Sequence, residues 1–262
     1  PNKWGGRLQS HSTPTEAWRA QRTPEGPATV HLRLQGDEVQ ASAWGPGWDW
    51  SLAHVPDLLG LHDHPERFHP EHPRVRQAWR ERGGWRFGRS LLVMEQLLPT
   101  ILHQRVTTRS SKRSWLDVLR RYGEPAPGPV ELLVPPDPRA LATLDYADLH
   151  VVGVERGRAE TFLRACRRAG RMEEAAAMSS LQAYTRLTAL PGVGPWTAAN
   201  VILRALGDAD CVMVGDYHVP NYVAWFLADE ERADDARMLQ LLEPFAGHRA
   251  RVVFLAKGAG PP

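Results

Sequence analysis

Two periods of apolar residues divide the chain. From Thr29 to Leu34 apolar and polar positions alternate, Gly36-Asp37 interrupts them, and the alternation resumes from Glu38 to Trp44. A period of two sends successive side chains to opposite faces of a strand, so this stretch predicts a hairpin of strands. Residues 1–27 are polar, carry glycine and proline, and predict irregular or partly ordered structure. Beyond Ser90 the period lengthens. Leu91 to Leu98 continues through Pro99 to Ile101-Leu102, and Ser110 to Tyr122 sets Trp115, Val118, Leu119 and Tyr122 on one side with basic residues opposite, which is helical spacing. Further helices are predicted from Arg74 to Arg82, ending at Gly83-Gly84, and over Pro138–Leu144, Arg158–Ala169 and Met172–Met178. The expected fold is mainly α with a smaller α+β N-terminal part. A β-containing domain and a His/Pro-rich linker occupy residues 1–84, and an all-helical domain occupies 85–262.

The densest signal runs from Thr188 to Val219. Ser179 and Gln182 make a capping box, with Leu181, Tyr184, Leu187 and Leu190 at helical spacing behind it, so a helix leads into the turn Leu190-Pro191-Gly192-Val193-Gly194. Pro195 falls at the first position of a second helix, and Gly207 is a fitting stop. The two glycines are expected to supply positive φ and to let another molecule approach the backbone. Unpaired amides at the head of the second helix favour an anion such as a phosphate oxygen. Twenty residues after Trp196 comes Asp216, just ahead of the apolar run Tyr222–Leu227, where it would cap a further helix.

Composition narrows the class. A chain of 262 residues with ordinary apolar content buries a real core. No run of eighteen apolar residues occurs and no charged-then-apolar leader opens the sequence, so a soluble, cytoplasmic protein is expected, without a membrane partner. Two cysteines, Cys166 and Cys211, point to a reducing compartment and give no ligand set for an iron-sulfur cluster. Net charge is only +2, but it is segregated: Arg105, Arg109, Lys112, Arg113, Arg120 and Arg121 form one basic block, and Arg156, Arg158, Arg164, Arg167, Arg168 and Arg171 another. Beside a phosphate-binding turn such blocks suit a polyanion. Trp44, Trp48 and Trp50 predict a packing cluster. The histidines from His54 to His72 follow no zinc spacing and fit a proline-broken linker. Pro1 has the residue type of an N-terminal amine nucleophile, but no supporting motif follows it.

Leu190-Pro191-Gly192-Val193-Gly194, Trp196, Thr197-Ala198 and the downstream Asp216 resemble the helix-hairpin-helix DNA glycosylase superfamily, and most closely its bacterial 3-methyladenine DNA glycosylase II branch. The resemblance implies a monofunctional enzyme that removes alkylated purines from double-stranded DNA, acting as a monomer associated with the bacterial nucleoid. Lyases of the superfamily carry a Schiff-base lysine where this chain has Trp196. It further implies Asp216 as the catalytic carboxylate, Trp196, Asn200, Tyr217, His218 and Phe245 around the substrate base, and Gly192, Gly194, Thr197, Gln104 and Arg105 against DNA. The carbonyls of Thr188, Leu190 and Gly192 match positions that bind Na+ or K+ in the family, and no other cofactor is implied. Three positions depart from the pattern: Arg105 replaces an apolar wedge, Asn200 replaces an aromatic residue, and Pro244 to His248 match the C-terminal aromatic region only loosely. Two rival readings remain at this point, a non-catalytic adaptor that binds damaged DNA and a glycosylase with lyase activity on oxidised bases.

Overall fold

The computed structural model describes residues 6–260, so Pro1 lies outside the described residues. After a short helix α1 (Gly6–Gln9), strands β1 (Ser10–Ser12), β2 (Glu16–Thr23), β3 (Gly26–Gln35) and β4 (Glu38–Trp44) form an antiparallel sheet in sequence order. The predicted hairpin is β3 and β4, with Gln35 paired to Glu38 across Gly36-Asp37. β1 and β2 lie where irregular chain was expected. Their inward positions include Gln21, which is fully buried and hydrogen-bonds Ser51 Oγ at 3.0 Å, so an apolar alternation never develops in the sequence. The three tryptophans do not cluster. Trp44 stacks on Trp18 at 5.4 Å, Trp50 stacks on His54 at 4.0 Å, and Trp48 is half exposed.

Helices α2 (Trp48–Ala53), α3 (Val55–Leu58) and α4 (Pro73–Arg82) follow, and then α5 (Val93–Leu102), every residue of which is buried. A helix buried on all sides belongs at the centre. Around α5 pack α6 (Thr108–Tyr122), α9 (Arg156–Arg167) and α12 (Pro195–Ala205), with Leu97, Ile101, Trp115, Leu119, Phe162 and Ile202 in the main core. A two-stranded ladder, β5 (Glu124–Pro125) with β6 (Leu133–Val134), joins α6 to the short helices α7 (Pro138–Leu141) and α8 (Tyr146–His150). The predicted helix over Pro138–Leu144 therefore stops early, because Asp145 and Asp148 build a capping box that starts α8. α10 (Ala169–Glu173) and α11 (Ser180–Thr188) lead into α12.

The second core lies among α13 (Val219–Ala228), α14 (Asp235–Leu242) and α15 (Arg249–Ala259), and α4 belongs to it through Val75 and Ala78. The His/Pro-rich segment is thus folded against the helical body and is not a free linker. Asp63 accepts two bonds from Arg251 Nη2 at 2.6 and 2.8 Å, and Asp57 accepts one from Arg89 Nε at 2.5 Å. Among the described residues no group of three metal-ligating side chains converges. The sheet docks through Arg19 of β2 and Gln9, both bonded to Glu95 of α5, whose carboxyl is raised by burial against the pull of Arg19. No helix among the described residues is long and apolar enough to cross a membrane.

Candidate active site between the hairpin and Asp216

The hairpin forms for local reasons. Ser179 Oγ accepts from Gln182 N–H at 3.4 Å, Ser179 N–H donates to Gln182 Oε1 at 3.1 Å, and α11 starts there. Gly194 precedes Pro195, the first residue of α12, and the first bond of that helix runs from Ala198 N–H to Gly194 O at 3.0 Å. The amides ahead of it have no intrahelical acceptor. The two glycines do different work. Gly192 has φ +92°, and a Cβ there would lie 2.2 Å from Thr161 Oγ1. Gly194 has φ −96°, contrary to expectation, and a Cβ there would meet nothing within 4 Å. Its lack of a side chain leaves open space beside the amides at the head of α12.

Gln104 joins the loop after α5 to this turn. Its amide Nε2 donates to Gly192 O at 2.9 Å and to Thr197 Oγ1 at 2.8 Å. Thr197 is fully buried, so Gln104 and Thr197, both expected at DNA, spend these groups on each other. What the pair positions is Arg105, exposed and at φ +55°. A left-handed non-glycine residue costs roughly 1–2 kcal/mol, which the contacts of the loop around it must offset. Arg109, Lys112 and Arg113 stand exposed on the following helix. In the second basic block Arg158 is buried, bonded to Leu102 O and Glu155, and serves the core. Arg164 Nη1 holds the turn itself through Pro191 O at 2.7 Å.

Trp196 and Asp216 meet. The indole Nε1–H donates to Asp216 Oδ2 at 2.9 Å, while Oδ1 accepts the amides of His218 at 3.0 Å and Val219 at 3.1 Å at the head of α13. Gly215, at φ +85°, donates its amide to Asp235 at 3.0 and 3.1 Å and fixes the loop. Burial pushes the Asp216 carboxyl up, but the indole N–H, the two amides and the nearby Lys257 ammonium outweigh it and hold its pKa below the usual value. A half-buried carboxylate, ionised at neutral pH and locked on two sides, can stabilise a developing cation or orient water.

The other substrate candidates divide. Tyr217 and His218 flank Asp216 and are exposed, their rings edge to face at 4.9 Å. Asn200 is buried; its Nδ2 donates to Trp196 O at 2.9 Å and its Oδ1 accepts from Arg204 at 2.8 Å, so it supports the indole's helix and offers no free edge to a base. Phe245 lines a separate cavity of about 820 Å³ with Phe68, His69 and His72, and neither Trp196 nor Asp216 borders it. Two residues join the site unforeseen. His103 packs against Trp196 with ring centroids 5.6 Å apart, and Lys257 reaches the field of Asp216 from α15. Lys257 is an exposed residue whose ammonium is partly desolvated, which lowers its pKa, with Asp216 opposing the shift and Arg204 adding to it.

No protein-family model matches the sequence, and no curated protein matches it either. Solved structures do match. A 3-methyladenine DNA glycosylase from Archaeoglobus fulgidus superposes with a TM-score of 0.79 at 19% identity, over 98% of this chain and 90% of that one. An 8-oxoguanine glycosylase/lyase of Clostridium acetobutylicum, in complex with double-stranded DNA, gives 0.75 at 15% identity over 96% and 87%. A DNA-3-methyladenine glycosidase from Bacillus halodurans gives 0.55 at 18% identity over 79% and 89%. Likeness at such identities concerns architecture, and the architecture is that of the helix-hairpin-helix DNA glycosylases.

Proposed function

We propose that this chain is a DNA glycosylase that hydrolyses the N-glycosidic bond of alkylated purines, of the 3-methyladenine type, in double-stranded DNA, without strand cleavage. The observation that carries the reading is the bond from Trp196 Nε1 to Asp216 Oδ2, because it holds an ionised carboxylate at the edge of an indole whose helix begins at the hairpin turn. No side chain reaches a glycosidic bond inside a duplex, so the nucleotide must swing out. Hairpin amides beside Gly194 hold its flanking phosphate, and Arg105 enters the space it leaves. The sugar then loses the base with oxocarbenium character, and Asp216 stabilises that charge and directs the incoming water. An indole face attracts a cationic alkylpurine by up to roughly 2 kcal/mol when desolvated.

A monovalent cation fits the turn. The oxygens of Leu190 and Gly192 each accept one bond, from Val193 N–H and from Gln104, and each keeps a second lone pair. With the Thr188 carbonyl they are the hard-oxygen donors that would hold such a cation, which would supply positive charge for a phosphate. Trp196 at the Schiff-base position favours hydrolysis alone, and borohydride is expected to trap no covalent DNA adduct. A DNA-binding adaptor has no need of a carboxylate buttressed by three N–H donors. The test is Asp216→Asn on methylated duplex DNA. Release of 3-methyladenine is expected to fall at least about 100-fold with DNA affinity kept, as for loss of one electrostatic stabiliser; release at the wild-type rate would remove the reading.

A further inference from the structure

Three arginines converge on one void. A cavity of about 390 Å³ lies where β2, the chain just before α5, α12 and α15 meet, and Arg19, Arg89 and Arg204 all border it, while among the described residues no aspartate or glutamate does. Like charges gather around a hollow only against their own repulsion, and an anion placed there relieves it. Arg19 is paired with Glu95 and Arg89 with Asp57, but neither carboxylate lines the void. Those pairs leave donors over. Arg19 Nε is buried with no acceptor among the described residues, and Arg89 spends only its Nε, so its two Nη groups bond nothing there. Ser90, buried at the same wall, accepts from Leu92 N–H and Gln96 Nε2, both at 3.4 Å, and its own hydroxyl proton finds no acceptor among the described residues. Arg204 donates Nη1 to Asn200 O and Oδ1 at 2.9 and 2.8 Å, and burial lowers its pKa to about 10.

Buried donors left over at a cavity call for an acceptor that the chain itself does not supply. An acceptor among three guanidinium groups carries negative charge, and their planar forks of N–H suit phosphoryl oxygens. The other walls are apolar. Phe87 and Phe254 meet edge to face at 5.4 Å, and Phe254 is 39% exposed, which leaves aromatic surface for a ring to cover. The volume is many times the roughly 30 Å³ of one water and falls within the range of about 300–1,000 Å³ for small-molecule sites, so it suits an organic phosphate better than a bare ion. We propose that this cavity binds a nucleoside monophosphate, with the phosphoryl group among Arg19, Arg89, Arg204 and Ser90 and the base against Phe87 and Phe254. Arg204 follows Trp196 by eight residues on α12, about 12 Å along the helix, so the cavity and the candidate active site lie on successive stretches of one element. Neither Trp196 nor Asp216 borders the cavity, and the inference holds or fails independently of the glycosylase reading.

The experiment is isothermal titration calorimetry of the whole chain with three probes: deoxyadenosine monophosphate, ribose 5-phosphate, which lacks the base, and deoxyadenosine, which lacks the phosphate. One nucleotide is expected to bind per chain, at least about 10-fold tighter than either fragment, since each half adds its own contacts. Arg89→Gln should weaken the nucleotide and ribose 5-phosphate by about 10-fold or more, as for one charge-assisted hydrogen bond, and leave deoxyadenosine as it was. Phe254→Ala should weaken the nucleotide by about 10-fold, as for one stacked base, and leave ribose 5-phosphate as it was. Phe254 is exposed, so its variant remains a test even if loss of the Arg89–Asp57 pair unsettles the fold. No binding of the nucleotide to the wild-type chain, equal affinity for the nucleotide and either fragment, or a nucleotide affinity that Phe254→Ala and Arg89→Gln both leave unchanged would each overturn the inference.

Discussion

Removing the Asp63 carboxylate should cost this protein a large share of its stability. Arg251 is fully buried and Asp63 nearly so, and the guanidinium spends Nη2 on both carboxylate oxygens at 2.6 and 2.8 Å. Its other bonds are weaker, to Trp85 O at 3.1 Å and His248 Nδ1 at 3.4 Å, with the rings of Trp79, Trp85 and Phe87 about it at 5.3, 4.9 and 5.1 Å. Asp63→Ala leaves a buried cation without a counter-charge, which costs about 3–5 kcal/mol. It also strips the acceptor from Phe87 N–H, now bonded to Asp63 Oδ2 at 2.7 Å, for roughly 1–3 kcal/mol more if water does not replace it. Against a whole-domain stability of about 5–15 kcal/mol, this is a severe lesion. Urea denaturation would read it as a lowered midpoint at constant slope. Arg120→Ala is the control, because its pair with Asp117 is exposed and worth at most about 1 kcal/mol. Adding Arg251→Met to Asp63→Ala should recover much of the loss, since an apolar chain needs no partner there. A loss below about 1 kcal/mol in Asp63→Ala, or no recovery in the double variant, would refute the reasoning.

Two further outcomes follow from the site and its surroundings. Gly192→Ala places a Cβ 2.2 Å from Thr161 at φ +92° and should cost roughly 2–4 kcal/mol in urea denaturation, whereas Gly194→Ala, at φ −96° with open space around it, should stay within about 0.5 kcal/mol yet weaken DNA binding by fluorescence anisotropy. Glu173 accepts the amides of Val93 and Met94 at 2.8 Å, and burial raises its carboxyl from 4.5 to about 7, so the folded state holds a proton that the unfolded chain has lost. Its stabilisation is complete below pH 4.5 and fades as pH rises through about 7, by at most roughly 3 kcal/mol, and Glu173→Gln should flatten that slope in denaturation series between pH 5 and 8.

The helices that were legible in the sequence are those with a local cause. The Ser179–Gln182 box, Gly194-Pro195 at the head of α12 and the apolar face of α6 each act within a few residues, and each element lies within two residues of its predicted start. β2 was illegible because its buried Gln21 donates to Ser51, thirty residues away, and a polar residue of that kind erases the alternation that marks a strand. The His/Pro-rich segment was misread for the same reason. Asp63 looks like solvent-facing loop until Arg251 is brought to it from the far end of the chain, and nothing local announces that meeting.

The candidate site shows the same division more sharply. Trp196 and Asp216 were legible through the spacing shared with the glycosylase family, and they meet because the loop after α12 returns Asp216, at the head of α13, to the first turn of α12. Gln104 is placed at DNA by the family resemblance alone; in the structure its bonds to Gly192 and Thr197 tie the loop after α5 to the hairpin. Asn200 was placed by its interval from Trp196, yet at one helical turn an amide can reach back to the Trp196 carbonyl, and the helix takes it. Lys257 had no local signal at all. It lies on α15, which also carries Arg249 and Arg251, and only the packing of α15 along α13 brings its charge to bear on Asp216. Groups fixed by a helix head or a turn are thus legible one by one, whereas a contact such as that of Gln104 with Gly192 becomes legible only once packing has brought two distant segments together.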